Sequence, residues 1–411
     1  MILFQDALRR VLEQARPAEG ADAVPLTEAY GRYLAEDVTA RENIPVADNS
    51  AMDGYAVRTA DLAGELPEGG APLEIVEVLA ANSTAQGKLG PGQAMKIMTG
   101  APIPEGADAV VMVEYTHSEG GRVWIERTPQ PGGHIRRAGG DIARGAVALR
   151  AGERLTPANV GMLAALGYGT APVVPRPRVG VLATGDEIIE PEAPLVPGKV
   201  RNANSYSLCG LVREAGAEPH LLGIAADDRE SLKTTLERAL DEYDILLTSG
   251  GVSMGDFDYV KHLVDEIGLD VHFRAIKVKP GKPVVFGSRG RTLFFGLPGN
   301  PVSSMVTFLQ LVRPAILRML GHGETGLRTL HAAMAEPFHK SDGKRHFLRA
   351  ILQRDPEVGL SVRLTGDQGS GLLHSMGRAN CFVVLDEETE QVAPGQPVEI
   401  QLFDGEPLPE S

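Results

Sequence analysis

Residues 245–258 read ILLTSGGVSMGDFD, and residues 293–301 read LFFGLPGNP. Each is a short apolar run passing into a glycine-rich polar turn, and a helical pattern follows each, at Tyr259–Ile267 and at Val302–Leu320. Two further runs repeat the plan. Val179–Ala183 enters Thr184-Gly185-Asp186-Glu187 ahead of a helical stretch from Ser205 to Ala215 closed by Gly216, and Leu221–Ile224 precedes another at Arg229–Leu240. Strands alternating with helices predict a mainly parallel sheet covered on both faces, and such sheets bind ligands at the carboxyl ends of their strands.

Outside this region the pattern changes. Phe4, Ala7, Leu8, Val11, Leu12 and Ala15 recur at helical spacing and predict an amphipathic first helix. From about Ala40 to Leu149, runs such as Leu73–Leu79, Ala94–Met98 and Ala109–Val113 alternate with Gly/Pro turns, as in a β-rich domain. Thr156-Pro157 supplies a capping hydroxyl and a first-turn proline for a helix that Gly167 ends, and Pro172–Pro177 (PVVPRP) reads as a boundary. Beyond Gly326, the runs Phe347–Leu352, Cys381–Leu385 and Val398–Leu402 predict a small β-domain. The expected fold is multidomain, α/β plus β, which suits a chain of 411 residues, longer than one core usually organises.

Lys and Arg number 40 against 54 Asp and Glu, a net charge of −14. Such a surface repels nucleic acid, so any bound phosphate must be met by a local cationic pocket. Asp6 and Arg9-Arg10 follow the apolar Met1–Phe4 at once, unlike a secretory signal, and no run approaches the roughly 18 apolar residues of a membrane span. A soluble protein is expected. Cys209 and Cys381 stand far apart without a CxxC spacing, which predicts a reducing cytoplasmic setting and no thiolate metal site. The ten histidines form no HExxH-like pair, so protein-held zinc is not expected.

Glycines let backbone N–H groups approach a phosphate, and a following helix adds its positive end. Parallel strand order brings three glycine-rich turns to one sheet edge. The same edge collects Asp186, Glu187, Asp227, Asp228, Asp256 and Asp258, and Lys279-Pro280-Gly281-Lys282 adds two lysines. Carboxylates suit a hard cation such as Mg²⁺, and lysines supply point charge for an oxyanion. Any one acid could equally be a helix N-cap or a solvated turn residue; their joint placement beside two lysines favours a site. Gly251–Gly255 also matches G-x-S-x-G, but no HGGG segment and no particular downstream histidine accompany it, so a serine hydrolase is disfavoured. Walker A is absent, because no Gly-Lys pair is followed by Ser or Thr.

Ser249–Asp258 (SGGVSMGDFD), Lys279–Pro283 (KPGKP) and Gly296–Pro301 (GLPGNP) resemble the molybdopterin molybdenumtransferase family, the bacterial MoeA type and the E-domain of gephyrin. Ser50–Val57 (SAMDGYAV), Ile97–Asp108 (IMTGAPIPEGAD), Arg136–Ile142 (RRAGGDI), Thr184–Glu187 (TGDE) and Ser370–Asn380 (SGLLHSMGRAN) extend the resemblance in order along the chain. It implies four domains: an elongated linker domain from 24–45 and 141–170, a β-rich domain 46–140, a molybdopterin-binding-like α/β domain from 1–23 and 171–328, and a β-barrel-like C-terminal domain 329–411. It also implies a homodimer that converts adenylylated molybdopterin and molybdate into molybdenum cofactor, with Mg²⁺-dependent release of AMP. A molybdopterin adenylyltransferase is a candidate partner.

On this resemblance, Glu187, Asp227 and Asp258 are the expected Mg²⁺ ligands, and Lys279 and Lys282 would hold molybdate or the pterin phosphate. Arg349 and Ser370 are further candidates for that anion. Gly250, Gly251 and Ser253, with Gly299, Asn300 and Ser303, would cradle pterin, phosphate and nucleotide, while Pro298 and Pro301 shape the loop. Asp53, Thr99, Arg136 and Asp141 match positions expected to complete the partner's site across the dimer cleft; read alone, each could be a turn residue, a strand end or an ion-pair member, Arg136-Arg137 facing Asp141 for instance. One departure stands out. Family members often carry a basic residue four positions before Lys279, where this chain has Ala275, with Arg274 and Lys277 as neighbours. The alternatives are a molybdopterin adenylyltransferase, typically the α/β domain alone, and a gephyrin-like scaffold.

Overall fold

The computed structural model describes residues 1–83, 85–226, 228–252, 259–356, 359–403 and 405. Its largest helix-covered sheet has six strands: β1 (Arg178–Thr184), β2 (Glu218–Ala225), β3 (Ile245–Ser249), β4 (Asp270–Ala275), β5 (Pro283–Arg289) and β6 (Thr292–Leu297). Their order across the sheet is β2-β1-β3-β6-β5-β4; β2, β1, β3 and β6 pair in parallel, β5 runs antiparallel to β6, and the edge strand β4 pairs antiparallel with β5. Every residue of β3 is buried, as a central parallel strand covered on both faces requires. Helices α1 (Phe4–Gln14) and α2 (Ala203–Glu214) cover one face, together with the long helical run that starts as α5 (Pro301–Thr307). Helices α3 (Arg229–Glu242) and α4 (Tyr259–Leu263) cover the other.

The alternating plan therefore holds, with three differences. Strands β4 and β5 were not expected; their runs are interrupted by His272 and Arg274 and by Gly287, which blurs the period. Helix α4 stops at Leu263, short of the predicted Ile267. The expected helix Val302–Leu320 is one continuous run from Pro301 to Met319, but Phe308–Val312 is wound as a π-helix. Pro314 accounts for the widening: its ring crowds the preceding turn and it has no N–H to give Gln310.

The C-terminal strands Thr329–Met334, Arg345–Asp355, Gly359–Leu364, Cys381–Leu385 and Pro397–Leu402 close into a five-stranded barrel, because Cys381–Leu385 pairs with both Pro397–Leu402 and Arg345–Asp355. Alternate residues such as Leu348, Ala350 and Leu352 fill it. This barrel is fixed to the α/β domain in two ways. Phe347 and Phe382 belong to the α/β core, with the Phe4 and Phe347 rings 5.4 Å apart. The two-residue strand Val278–Lys279 also pairs in parallel with Arg345-His346.

The N-terminal part carries a separate six-stranded mixed sheet built from Gly54–Val57, Ala71–Leu79, Gln93–Ile97, Ala109–Met112, Thr116–Glu119 and Arg122–Ile125. A smaller core joins Ala29–Ala40 to Leu149–Val173, where Asp22–Pro25 pairs with Thr170–Val173. The first two residues of the supposed boundary at Pro172–Pro177, Pro172 and Val173, are thus strand. The helix Pro157–Ala165 begins as its sequence says: the Thr156 and Asn159 side chains cap it reciprocally, and Gly167 follows in the left-handed conformation at φ 79°.

Candidate active site

Strands β1, β3 and β6 end side by side, and their turns face the barrel across a cavity of about 950 Å³. That volume falls in the range of roughly 300–1,000 Å³ found for small-molecule sites. Its wall includes Glu187 after β1, Ser249-Gly250-Gly251 after β3, and Pro298–Pro301 after β6. Lys279 and Lys282 come from the loop before β5, Ser303 from α5, and Ser370 from the barrel. These are among the residues that the sequence assigned to one pocket. The fold brings them together.

The glycines are required by crowding. Gly250 has φ 102°, and a Cβ there would lie 2.7 Å from the Thr184 carbonyl oxygen; Gly251 has φ 70°, and its Cβ would lie 2.7 Å from a Val260 methyl. No other side chain fits so close to β1. The Gly250 N–H donates to the Leu297 carbonyl at 3.0 Å, tying two of the turns to each other. Asn204, in the first turn of α2, completes the tie by donating its amide to the Ser249 hydroxyl and to the Gly299 carbonyl, both at 2.7 Å.

Three lysines (Lys279, Lys282 and Lys344) and Arg201 line the cavity against a single described carboxylate, Glu187. On a chain of net charge −14 this is the local cationic pocket an anion needs. Asn202, 3% exposed on the same wall, uses its side-chain oxygen to cap α2, and its buried Nδ2 has no protein partner among the described residues. A buried donor of this kind is costly unless a ligand or water accepts from it.

Glu187 is exposed and folds back over Gly185. Among the described residues no group of three His, Cys, Asp or Glu could hold a metal ion. One carboxylate beside an anion pocket fits Mg²⁺, which takes one or two carboxylates and completes its shell with phosphate oxygens and water. The other two expected ligands, Asp227 and Asp258, lie outside the described residues, as do Ser253 and Asp256. Asp228 is a helix N-cap: it opens α3 and accepts from the Ser231 N–H at 2.8 Å.

Several expectations are corrected. Arg349 does not line the cavity; it is fully buried. Its Nε donates to the Ser375 hydroxyl at 3.1 Å, and its Nη2 donates to the Asp367 and Gly369 carbonyls at 3.4 and 3.0 Å. It holds the loop 367–371 that forms the barrel's side of the wall. Burial lowers its pKa, with Asp367 opposing. Arg137 pairs with Asp48 at 2.6 Å, not with Asp141. At the Ala275 position neither neighbour substitutes in the cavity wall: Arg274 pairs with Asp265, and Lys277 is not among the wall residues.

Asp53, Thr99, Arg136 and Asp141 are all exposed, lie in the N-terminal part, and do not line this chain's cavity. Asp53 accepts from the Thr99 N–H at 2.6 Å and from its hydroxyl at 2.7 Å, and these bonds hold its carboxyl below the usual range. Arg136 sits in a short strand paired with Asn49.

Residues missed in the sequence are Arg201, Asn202 and Asn204, and the barrel's Lys344 and Gln368. Asn202 and Asn204 sit in a helix start, where asparagine is ordinary. The basic residue Lys344 sits in a turn. Neither carried a signal that the partner loops lay nearby.

Comparison with known proteins gives a consistent result. Three family descriptions match successive segments: "MoeA N-terminal region (domain I and II)" over residues 2–167, "Probable molybdopterin binding domain" over 180–318, and "MoeA C-terminal region (domain IV)" over 331–403. The molybdopterin molybdenumtransferase of Haemophilus influenzae is 36% identical over 405 residues, covering 98% of this chain and 99% of the relative. That of Bacillus subtilis is 36% identical over 406 residues, covering 98% and 94%. The crystal structure of a molybdopterin biosynthesis moeA protein from Pyrococcus horikoshii OT3 superposes with a TM-score of 0.85 at 33% identity, over 98% of this chain and all of that one.

Proposed function

This chain belongs to the molybdopterin molybdenumtransferase family, and on that premise we propose that its cavity is where molybdate enters adenylylated molybdopterin as AMP is released. It is a transferase of molybdenum cofactor biosynthesis. The observation that carries the site assignment is the convergence of three strand-end turns and three lysines on one cavity, closed by the barrel.

In this reading Lys279 and Lys282 hold the tetrahedral dianion or the pterin phosphate by charge-assisted hydrogen bonds. The backbone N–H of Gly251 and the buried amide of Asn202 orient the remaining oxygens, while Gly250, its own N–H given to Leu297, lets the ligand approach the turn closely. Glu187, with Asp227 and Asp258 outside the described residues, would hold Mg²⁺, which supplies charge stabilisation at the anhydride oxygens as AMP departs. Asn300, donating to the Ser370 hydroxyl at 2.9 Å, keeps the barrel's loop against the cavity.

The chain supplies no thiolate for molybdenum, and the pterin's own dithiolene sulfurs fill that need. Cys209 and Cys381 are both buried, and burial pushes the Cys381 thiol up to about 12. Among the described residues no helix is long and apolar enough to cross a membrane. We further propose a cytoplasmic homodimer in which Asp53, Thr99, Arg136 and Asp141 complete the partner's site, with a molybdopterin adenylyltransferase supplying the intermediate. The four-domain division at the borders given above belongs to the same proposal. The adenylyltransferase and scaffold readings are weaker, because the barrel forms one wall of the cavity and the cationic set is intact.

The test is Lys279→Ala together with EDTA treatment of the unmodified protein. Both should stop AMP release from adenylylated molybdopterin while the fold, read by circular dichroism, is kept. Full turnover in both conditions would remove the assignment.

A further inference from the structure

Lys344 belongs to the barrel, on the turn leading into the strand Arg345–Asp355, and it lines the cavity opposite the strand-end turns. Its ammonium lies 3.4 Å from Asp342 Oδ2, and the ammonium of Lys279 lies 3.9 Å from the same oxygen. One carboxylate oxygen therefore draws two lysines from two domains to a common point. The other oxygen, Oδ1, is held 2.9 Å from Nε2 of His346, which is only 2% exposed. The carboxylate can only accept, so Nε2–H of His346 is the donor of this bond. This buried donor fixes the rotation of Asp342 and leaves Oδ2 for the two lysines.

The backbone is fixed as well. Lys340, 6% exposed, donates its ammonium to the Lys344 and Asp386 carbonyls, at 2.7 and 2.5 Å. Strand pairing of Val278–Lys279 with Arg345-His346 sets Lys279 in register with this turn. Two ammonium groups converging on one oxygen, in a cavity with a single described carboxylate, make a cradle for an anion with several oxygens.

Resting on the reading of the cavity given above, we propose that Lys344 is a further oxyanion-binding residue and that Asp342 is the positioning residue aligning it with Lys279. The ligand chemistry is a tetrahedral oxyanion, which molybdate and the phosphate of the pterin ligand share.

The test is calorimetric titration of the full chain with sodium molybdate and, separately, with inorganic phosphate. Unmodified protein should bind at least one of them saturably. Lys344→Ala should weaken that binding about tenfold, as loss of one charge-assisted hydrogen bond predicts, and Lys344→Arg should recover most of it. The anion whose affinity falls identifies which group the pair receives. Asp342→Asn separates positioning from charge: it makes the pocket more positive, so a purely electrostatic role predicts tighter binding, whereas loss of alignment predicts weaker binding. Weaker binding is the expected result, and tighter binding would overturn the role of Asp342. Unaltered affinity in Lys344→Ala beside a loss in Lys279→Ala would remove Lys344 and leave the cavity reading standing. No saturable binding by unmodified protein, or none of these variants changing it, would overturn both.

Discussion

The side-chain amide of Asn300 donates to the hydroxyl of Ser370 at 2.9 Å, joining the turn after β6 to a loop of the barrel 70 residues later in the chain. The bond is reinforced by the Val302 N–H, which donates to the Ser370 carbonyl at 3.2 Å. The cavity therefore lies where the α/β domain and the barrel meet.

Because both partners of the Asn300–Ser370 bond are part of the cavity wall but outside either core, Asn300→Ala should act on binding and spare the fold. The expected outcome is a KM for adenylylated molybdopterin raised several-fold, about 1 kcal/mol for one exposed hydrogen bond, with the melting temperature nearly unchanged. Steady-state kinetics beside calorimetry would check it.

Arg349 predicts the opposite balance. Removing its guanidinium takes a donor from the Asp367 and Gly369 carbonyls and the Ser375 hydroxyl and leaves a void at a fully buried position. Arg349→Ala should lower stability by about 2–4 kcal/mol, and Arg349→Lys should recover little of it, since one ammonium cannot reproduce the separate Nε and Nη2 bonds of the fork. Urea unfolding gives the readout. Unchanged stability with lost anion binding would return Arg349 to the cavity wall.

Gly250→Ala places a Cβ 2.7 Å from a backbone oxygen of β1 at φ 102°. Neither β1 nor β3 can move aside without breaking sheet pairing, so a loss of about 2 kcal/mol or more is expected, with turnover lost as well. Gly299→Ala is the control, since the nearest atom to its Cβ would be 3.8 Å away. Comparable damage in the two would contradict this account.

The Asp342–His346 pair predicts a pH dependence with a definite sign. Burial would raise the Asp342 carboxyl, but the His346 hydrogen bond and the charges of His346 and Lys344 outweigh it and hold it at about 2, against an ordinary 3.8. Its contribution to stability is complete above the unfolded value and is lost as pH falls towards 2. His346, with its folded value lowered from 6.5, acts in the same sense: acidification below 6.5 charges the unfolded chain first and destabilises the fold. The stability difference between unmodified protein and Asp342→Asn should thus be widest above pH 3.8 and shrink below it. Denaturant midpoints measured from pH 7 downward would show a difference growing with acid if the sign were wrong.

The strand-end turns were legible because their signal is local: apolar run, glycines, then a cap. Gly250 and Gly251 could be read from their neighbours alone. Asn204 and Lys344 could not. Each is an ordinary polar residue in its own turn and becomes part of the cavity only through contacts with residues far along the chain, Ser249 and Gly299 in one case and Lys279 in the other. Arg349 did carry a readable sign that points to burial: it stands inside the apolar run Phe347–Leu352, where a charge must be paired within the protein. The edge strands β4 and β5 lacked a clean period, and the π-helical turn followed from Pro314 only once the flanking helices were seen as continuous.

The measurement closest to the central claim is AMP release by the purified chain given adenylylated molybdopterin, molybdate and Mg²⁺, with active cofactor assayed in the same samples. The account predicts AMP and molybdenum-loaded cofactor appearing in step, abolished by Lys279→Ala. AMP-independent cofactor formation, or consumption of ATP with molybdopterin in place of the adenylylated form, would contradict it.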